Sequence, residues 1–115
     1  MTEIFSIVNQ KGGVGKTTTC INLSAALAKA RRRVLLIDLD PQSNATKGCG
    51  TEVGDDRSTV NDLLLNRCSF ADTVLHLDTF NFDILPSTPQ LTEAEVFLLS
   101  TNDKEFTLRK VISDV

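Results

Sequence analysis

A chain of 115 residues, 41% of them hydrophobic, has room for one domain with a small core, and that apolar share is ordinary for a globular protein. A formal net charge of −3 gives no broad electrostatic footprint for nucleic acid. Cys20, Cys49 and Cys68 lie far apart with no Cys-x-x-Cys pair, and His76 is the one histidine, which excludes a sequence-evident metal site or disulfide framework and fits a reducing cytoplasm.

In chain order, residues 4–8 (Ile-Phe-Ser-Ile-Val) read as a short buried strand, too brief for a membrane span or a signal peptide. Gln10-Lys11-Gly12-Gly13-Val14-Gly15-Lys16-Thr17-Thr18 follows, and then Cys20, Leu23, Leu27 and Ala30 recur at helical spacing among good helix-forming alanines. Arg31-Arg32-Arg33 closes that helix, where cations meet the negative end of its dipole; a nucleic-acid contact is the alternative use. Residues 34–37 (Val-Leu-Leu-Ile) form a continuous apolar run, as expected of a parallel strand buried on both faces, with Asp38 and Asp40 at its carboxyl end. Gly48, Gly50 and Gly54 make the next stretch flexible. Ser58 or Thr59 can cap a short helix through Leu63, Leu64 and Leu65. Residues 74–77 and 82–85 look like short strands, the second ended by Pro86, and residues 91–99 and 105–115 read as helices. The string Val74-Leu75-His76-Leu77-Asp78 has the form of an apolar strand delivering a metal-binding carboxylate, in competition with a plain strand end.

The glycine-rich segment lies at a strand-to-helix turn, where backbone N–H groups and the helix dipole converge on an anion. Gly12, Gly13 and Gly15 allow close approach of backbone to phosphate, Lys16 suits the β- and γ-phosphates, and the Thr17 hydroxyl suits a bridging Mg²⁺, with Thr18 adding a bond to the α-phosphate. The general pattern would place glycine where Gln10 stands, and Lys11 follows it; by spacing alone Lys11 reads as a surface lysine. Ligands bind at the carboxyl ends of strands in an open α/β sheet, so Asp38 and Asp40 would face the same region: Asp38 to hold a Mg²⁺-bound water, Asp40 to orient or deprotonate an attacking water. Turn chemistry at Asp40-Pro41 is the competing reading.

Residues 11–18, the string Val34-Leu35-Leu36-Ile37-Asp38-Leu39-Asp40-Pro41-Gln42, then Asn44-Ala45-Thr46 and Leu85-Pro86-Ser87-Thr88-Pro89, together resemble the deviant-Walker ATPases of the ParA/Soj type, which partition plasmids and chromosomes. The resemblance implies an α/β P-loop NTPase fold, a mostly parallel sheet with helices on both faces, with residues 1–115 as the N-terminal portion of one ATPase domain, incomplete at the C-terminus. It implies ATP and Mg²⁺ as cofactors and Lys11, Lys16 and Asp40 as catalytic groups. The phosphate site is then Lys11, Gly12, Gly13, Val14, Gly15, Lys16, Thr17 and Thr18, and Thr17 and Asp38 serve the metal. Lys11 becomes a cation that reaches the partner's phosphates in an ATP-sandwich homodimer, and residues 44–46 a nucleotide-sensing switch. A ParB-type centromere-binding partner, nonspecific DNA in the full-length family, a nucleoid-associated cytoplasmic location and no membrane follow by the same resemblance. A MinD-type division-site ATPase and a nucleotide-binding fragment without turnover are the alternatives. In the family the strand that ends in Asp-x-Pro-Pro comes later, after a helix like residues 106–115, an order that argues against Asp78 as the metal carboxylate; without that strand, an unpaired sheet edge would leave residues 1–115 alone marginally stable or self-associating.

Overall fold

The computed structural model describes residue 5, residues 14–51 and residues 57–99. The expected strand at 4–8 and helix at 105–115 lie outside the described residues, as do Lys11, Gly12, Gly13 and Gly54.

Helix α1 spans Val14–Lys29, with Lys29 in its last turn, where a cation suits the dipole, and no acidic residue in its first, where the dipole would favour one. Its buried stripe is Ser24 and Ala28, flanked by half-buried Cys20, Ile21 and Ala25. Leu23 is 38% exposed and Ala30 is exposed, so the packed face lies one step around the helix from the Cys20–Leu23–Leu27–Ala30 row. The Arg32 N–H bonds the Leu27 carbonyl and the Arg31 N–H bonds the Ala28 carbonyl, both at 3.0 Å, while Arg31 turns left-handed at φ 66. This is a Schellman ending with arginine where glycine is favoured.

After α1 come β1 (Leu35–Ile37), α2 (Asn44–Gly48), α3 (Val60–Leu64), α4 (Phe70–Thr73), β2 (Leu75–Leu77), β3 (Phe82–Leu85) and α5 (Leu91–Leu99). The described sheet has the order β1-β3-β2. β1 runs parallel to β3, with Leu36 opposite Ile84, and β2 runs antiparallel to β3, with His76 opposite Asp83. An antiparallel edge strand on a parallel sheet is a common arrangement.

Both sheet faces are covered, because side chains alternate along a strand. Leu36 joins Ile84, Phe82, Cys49 and Ala28 in one core against α1, while Ile37 packs on a second core of Val60, Leu64, Leu91 and Ala94 from α3 and α5. The second layer is fastened by polar groups. Thr59 is the N-cap of α3, with Asp62 Oδ2 accepting its N–H at 3.0 Å; the Val60 N–H reaches the Pro86 carbonyl at 2.9 Å. The Asn61 Oδ1 accepts the Ala94 N–H of α5 at 3.0 Å.

The direction of β2 resolves the Asp78 question. Running against β3, it carries Asp78 to the sheet end opposite Asp38, where Asp78 is fully exposed and 3.7 Å from His76, whose Nδ1 is 2.7 Å from Asp83.

A left-handed non-glycine residue costs about 1–2 kcal/mol, of which glycine returns part through its own larger folding entropy. Arg31→Gly is therefore expected to raise stability by about 0.5–1 kcal/mol in denaturant melts; an unchanged midpoint would mean that the Arg31 side chain contributes a compensating contact.

Candidate nucleotide-phosphate site

Asp38 extends the parallel ladder by one bond, its N–H donating to the Leu85 carbonyl at 3.2 Å, and its side chain is 3% exposed at the carboxyl end of β1. A carboxylate so placed needs donors. Oδ1 accepts the Asp40 N–H at 3.0 Å; Oδ2 accepts the Thr46 N–H at 2.9 Å and the Thr46 hydroxyl at 2.5 Å. A carboxylate offers about four acceptor directions, so the described residues leave about one, on Oδ1. Among the described residues neither Asp38 nor Asp40 forms a salt bridge.

The turn after Asp38 is built by Asp40. Its Oδ1 accepts the Gln42 N–H at 2.9 Å and its Oδ2 the Asn44 side-chain amide at 3.1 Å, while its carbonyl accepts the Ser43 N–H and the Ser87 hydroxyl, each at 2.8 Å. The turn-forming reading of Asp40 is thus realised, with one acceptor direction left on each oxygen. Ser43 enters α2 left-handed at φ 61, and the Lys47 N–H bonds its carbonyl at 2.9 Å.

The first turn of α1 lies against α2, the short helix that Asp38 holds through Thr46. Lys16 and Thr17 are half-buried there, Gly15 and Thr18 exposed, and a Cβ on Gly15 would meet nothing within 4 Å. Gly48 brings α2 against α1: a Cβ there would lie 2.6 Å from Ile21 Cδ1 and 3.6 Å from Thr17 Cγ2. Burial pushes the Cys20 thiol pKa up, the Lys16 charge pulls it down and the Asp38 charge adds to the rise; Cys49 is raised by burial and then by Asp38.

Of the residues named from sequence, Thr17 lies beside Gly48 of α2, Asp38 anchors α2 through Thr46, Asp40 builds the adjoining turn, and Lys16 stands in the first turn of α1. Lys11, Gly12 and Gly13 lie outside the described residues, and Val14 is described only as the start of α1. Sequence reasoning placed Thr46 in a switch segment and Ser87 in a second family-like segment by resemblance, without pairing Thr46 with Asp38 or with Ser87. Both are at most 2% exposed, and the Ser87 N–H donates to the Thr46 hydroxyl at 3.0 Å. Their separation of 41 positions leaves no local pattern to read.

Asp38→Ala would strand the Asp40 N–H and both Thr46 donors, at about 1–3 kcal/mol for each group that stays buried. The expected result is a lower melting temperature with faster amide exchange over residues 44–49. The two raised thiols add a pH dependence. Each starts from 9.0, so the folded chain holds these protons longer than the unfolded one; their stabilising contribution is full below about pH 9 and declines as pH rises beyond it. A melting temperature that falls from pH 9 to 10, and falls less in a Cys20→Ala, Cys49→Ala double variant, is the expected measurement.

A family model described as an AAA domain matches residues 2–115. The chain is 50% identical over its whole length to a Pseudomonas putida protein without an assigned function, covering 44% of it. It is 44% identical, again over its whole length, to the sporulation initiation inhibitor protein Soj of Bacillus subtilis, covering 46% of Soj. In structure it is similar to cobyrinic acid a,c-diamide synthase from Mycobacterium smegmatis with a bound ATP analogue and magnesium, with a TM-score of 0.86 and 36% identity over 93% of this chain and 43% of that one. The chain therefore spans less than half the length of the curated relatives it matches. With the phosphate-loop helix, the Asp38 strand and the covered sheet in place, the chain belongs to the AAA-domain family, as a P-loop ATPase sequence of the ParA/Soj type.

Proposed function

We propose that the chain is the phosphate- and Mg²⁺-binding part of an ATPase that acts in plasmid or chromosome partition. The observation that carries this reading is a buried carboxylate at the end of β1, Asp38, which has no cation partner among the described residues and anchors through Thr46 the helix α2 whose Gly48 lies against Thr17 in the first turn of α1. A hydroxyl and a carboxylate are hard oxygen donors, and with a lysine beside them they suit a Mg²⁺–triphosphate better than a soft metal. Bound Mg²⁺ would neutralise charge on the β- and γ-phosphates.

Each residue then has a separate task. Lys16 would bind the β- and γ-phosphates, the Thr17 hydroxyl would hold the cation, and Thr18 and the backbone at Gly12, Gly13, Val14 and Gly15 would bind phosphate oxygens. Asp38, through the direction left on Oδ1, would help to hold the same cation. Asp40 uses its remaining acceptor directions to orient or deprotonate the attacking water. Lys11 acts in trans on a second copy's nucleotide, so turnover requires a dimer. The ATP analogue in the Mycobacterium synthase supports adenine as the base, and the likeness to Soj supports partition, with a ParB-type partner and nonspecific DNA as ligands of the complete protein in the cytoplasm. No described helix is long and apolar enough to cross a membrane. A second reading, binding without turnover, is favoured by the two turn bonds that occupy Asp40.

The complete protein separates the two. Lys16→Ala is expected to abolish Mg²⁺–ATP binding and hydrolysis, whereas Asp40→Ala retains binding and loses about 10²-fold or more in kcat. Lys11→Ala is expected to lower kcat by about 10³-fold, as loss of a trans-acting cation does. Tight binding with no measurable phosphate release by the unsubstituted protein would establish the second reading instead.

A further inference from the structure

We infer that Thr46 is a positioning residue for Asp38, and that its hydroxyl, braced by Ser87, aims the carboxylate at the cation. This rests on the ATPase reading above. Three buried groups form one directional chain: the Ser87 N–H donates to Thr46 Oγ1 at 3.0 Å, and the single hydroxyl proton of Thr46 goes to Asp38 Oδ2 at 2.5 Å. The direction is fixed because an N–H only donates, which leaves the Thr46 proton for the carboxylate. Thr46 is 2% and Ser87 1% exposed, so water does not substitute for either partner.

The consequence is geometric. With its N–H and hydroxyl both on Oδ2, Thr46 uses up that oxygen, and the Asp40 N–H takes one direction of Oδ1. The carboxylate is then held against rotation about its Cβ–Cγ bond, with one acceptor direction left, and that direction is on Oδ1. Without the hydroxyl, Oδ2 keeps a single bond to the Thr46 N–H and the carboxyl group can swing. Ser87 ties the same device to the end of β3, since its own hydroxyl donates to the Asp40 carbonyl at 2.8 Å. Thr46 touches neither phosphate nor cation in this scheme; it acts through Asp38.

The test uses the complete protein with Thr46→Val, which keeps shape and backbone N–H but removes the hydroxyl, and Thr46→Ser, which restores it. Binding of a non-hydrolysable ATP analogue is titrated with Mg²⁺, and kcat is measured separately. Thr46→Val is expected to raise the Mg²⁺ concentration for half-maximal binding by about fivefold and to lower kcat by about tenfold, the loss expected of one charge-assisted hydrogen bond. Analogue binding without Mg²⁺ should stay within about twofold, and Thr46→Ser should keep all three quantities within about twofold of the unsubstituted protein. If Thr46→Val does not fold, Thr46→Cys against Thr46→Ser decides, since a thiol is a weak donor of nearly the same shape; a gap of about fivefold in Mg²⁺ half-saturation is expected. A Val or Cys variant that matches the unsubstituted protein, or a folded Ser variant as impaired as Val, overturns the assignment. An unsubstituted protein with neither Mg²⁺-dependent binding nor turnover overturns the ATPase reading and this assignment together, while normal turnover alongside an inert Val substitution overturns this assignment alone.

Discussion

The Asp38 carboxylate, 3% exposed and accepting three hydrogen bonds, fixes the turn at 40–43, helix α2 and, through Thr46, the Ser87 end of β3. Each of those segments is too short to hold itself. A helix of five residues is well below the length at which an isolated helix is stable in water, and its first residue is preceded by Ser43 in a left-handed conformation that costs about 1 kcal/mol or more. A buried acceptor that gathers donors from several segments offsets such costs, because each donor would otherwise be buried without a partner.

The sheet makes that gathering possible. Asp38 and Ser87 both lie just beyond the carboxyl ends of β1 and β3, and the parallel pairing of these strands, Ile37 opposite Leu85, puts both at the same end. Had β3 run the other way, Ser87 would sit at the far end of the sheet, where the antiparallel β2 carries Asp78. The two cores press the pair from both faces, with Leu36 and Ile37 on opposite sides of one strand. Strand direction, more than residue type, therefore decides which aspartate belongs to the site.

What the sequence discloses and what it withholds divide along the same line. Lys16, Thr17 and Asp38 could be placed because their chemistry is tied to neighbours a few positions away: a glycine-rich turn before a helix, or an apolar run before a carboxylate. Thr59 was legible as a cap for the same reason. Helix α4 was not read as an element, although Ser69 and Asp72 form a capping box around its start, because four residues carry too little periodicity. The packed face of α1 was also displaced, since Leu23 is the larger and more apolar residue but Ser24 and Ala28 are the ones buried. Burial is set by the partner surface, and a close approach such as Gly48 to Ile21 selects small residues over greasy ones. The pairing of Thr46 with Ser87 was hidden outright, because the donor lies 41 positions away.

Because α2 is held by the same carboxylate that faces α1, the two cannot be independent. Any ligand that changes the donors on Asp38 changes the free energy with which Thr46, and hence α2, is held; reciprocity requires that the placement of α2 alter the affinity for that ligand by the same factor. The coupling needs no long path: Asp38, Thr46 and Thr17 lie within a few residues' width of one another, and Gly48 lets α2 rest directly on α1 beside Thr17. A short helix with one buried anchor is stable enough to be ordered and weak enough to be moved by a single hydrogen bond. Those are the physical requirements for a segment whose position reports the state of the phosphate site, and they arise from the placement of one aspartate at the end of a buried strand.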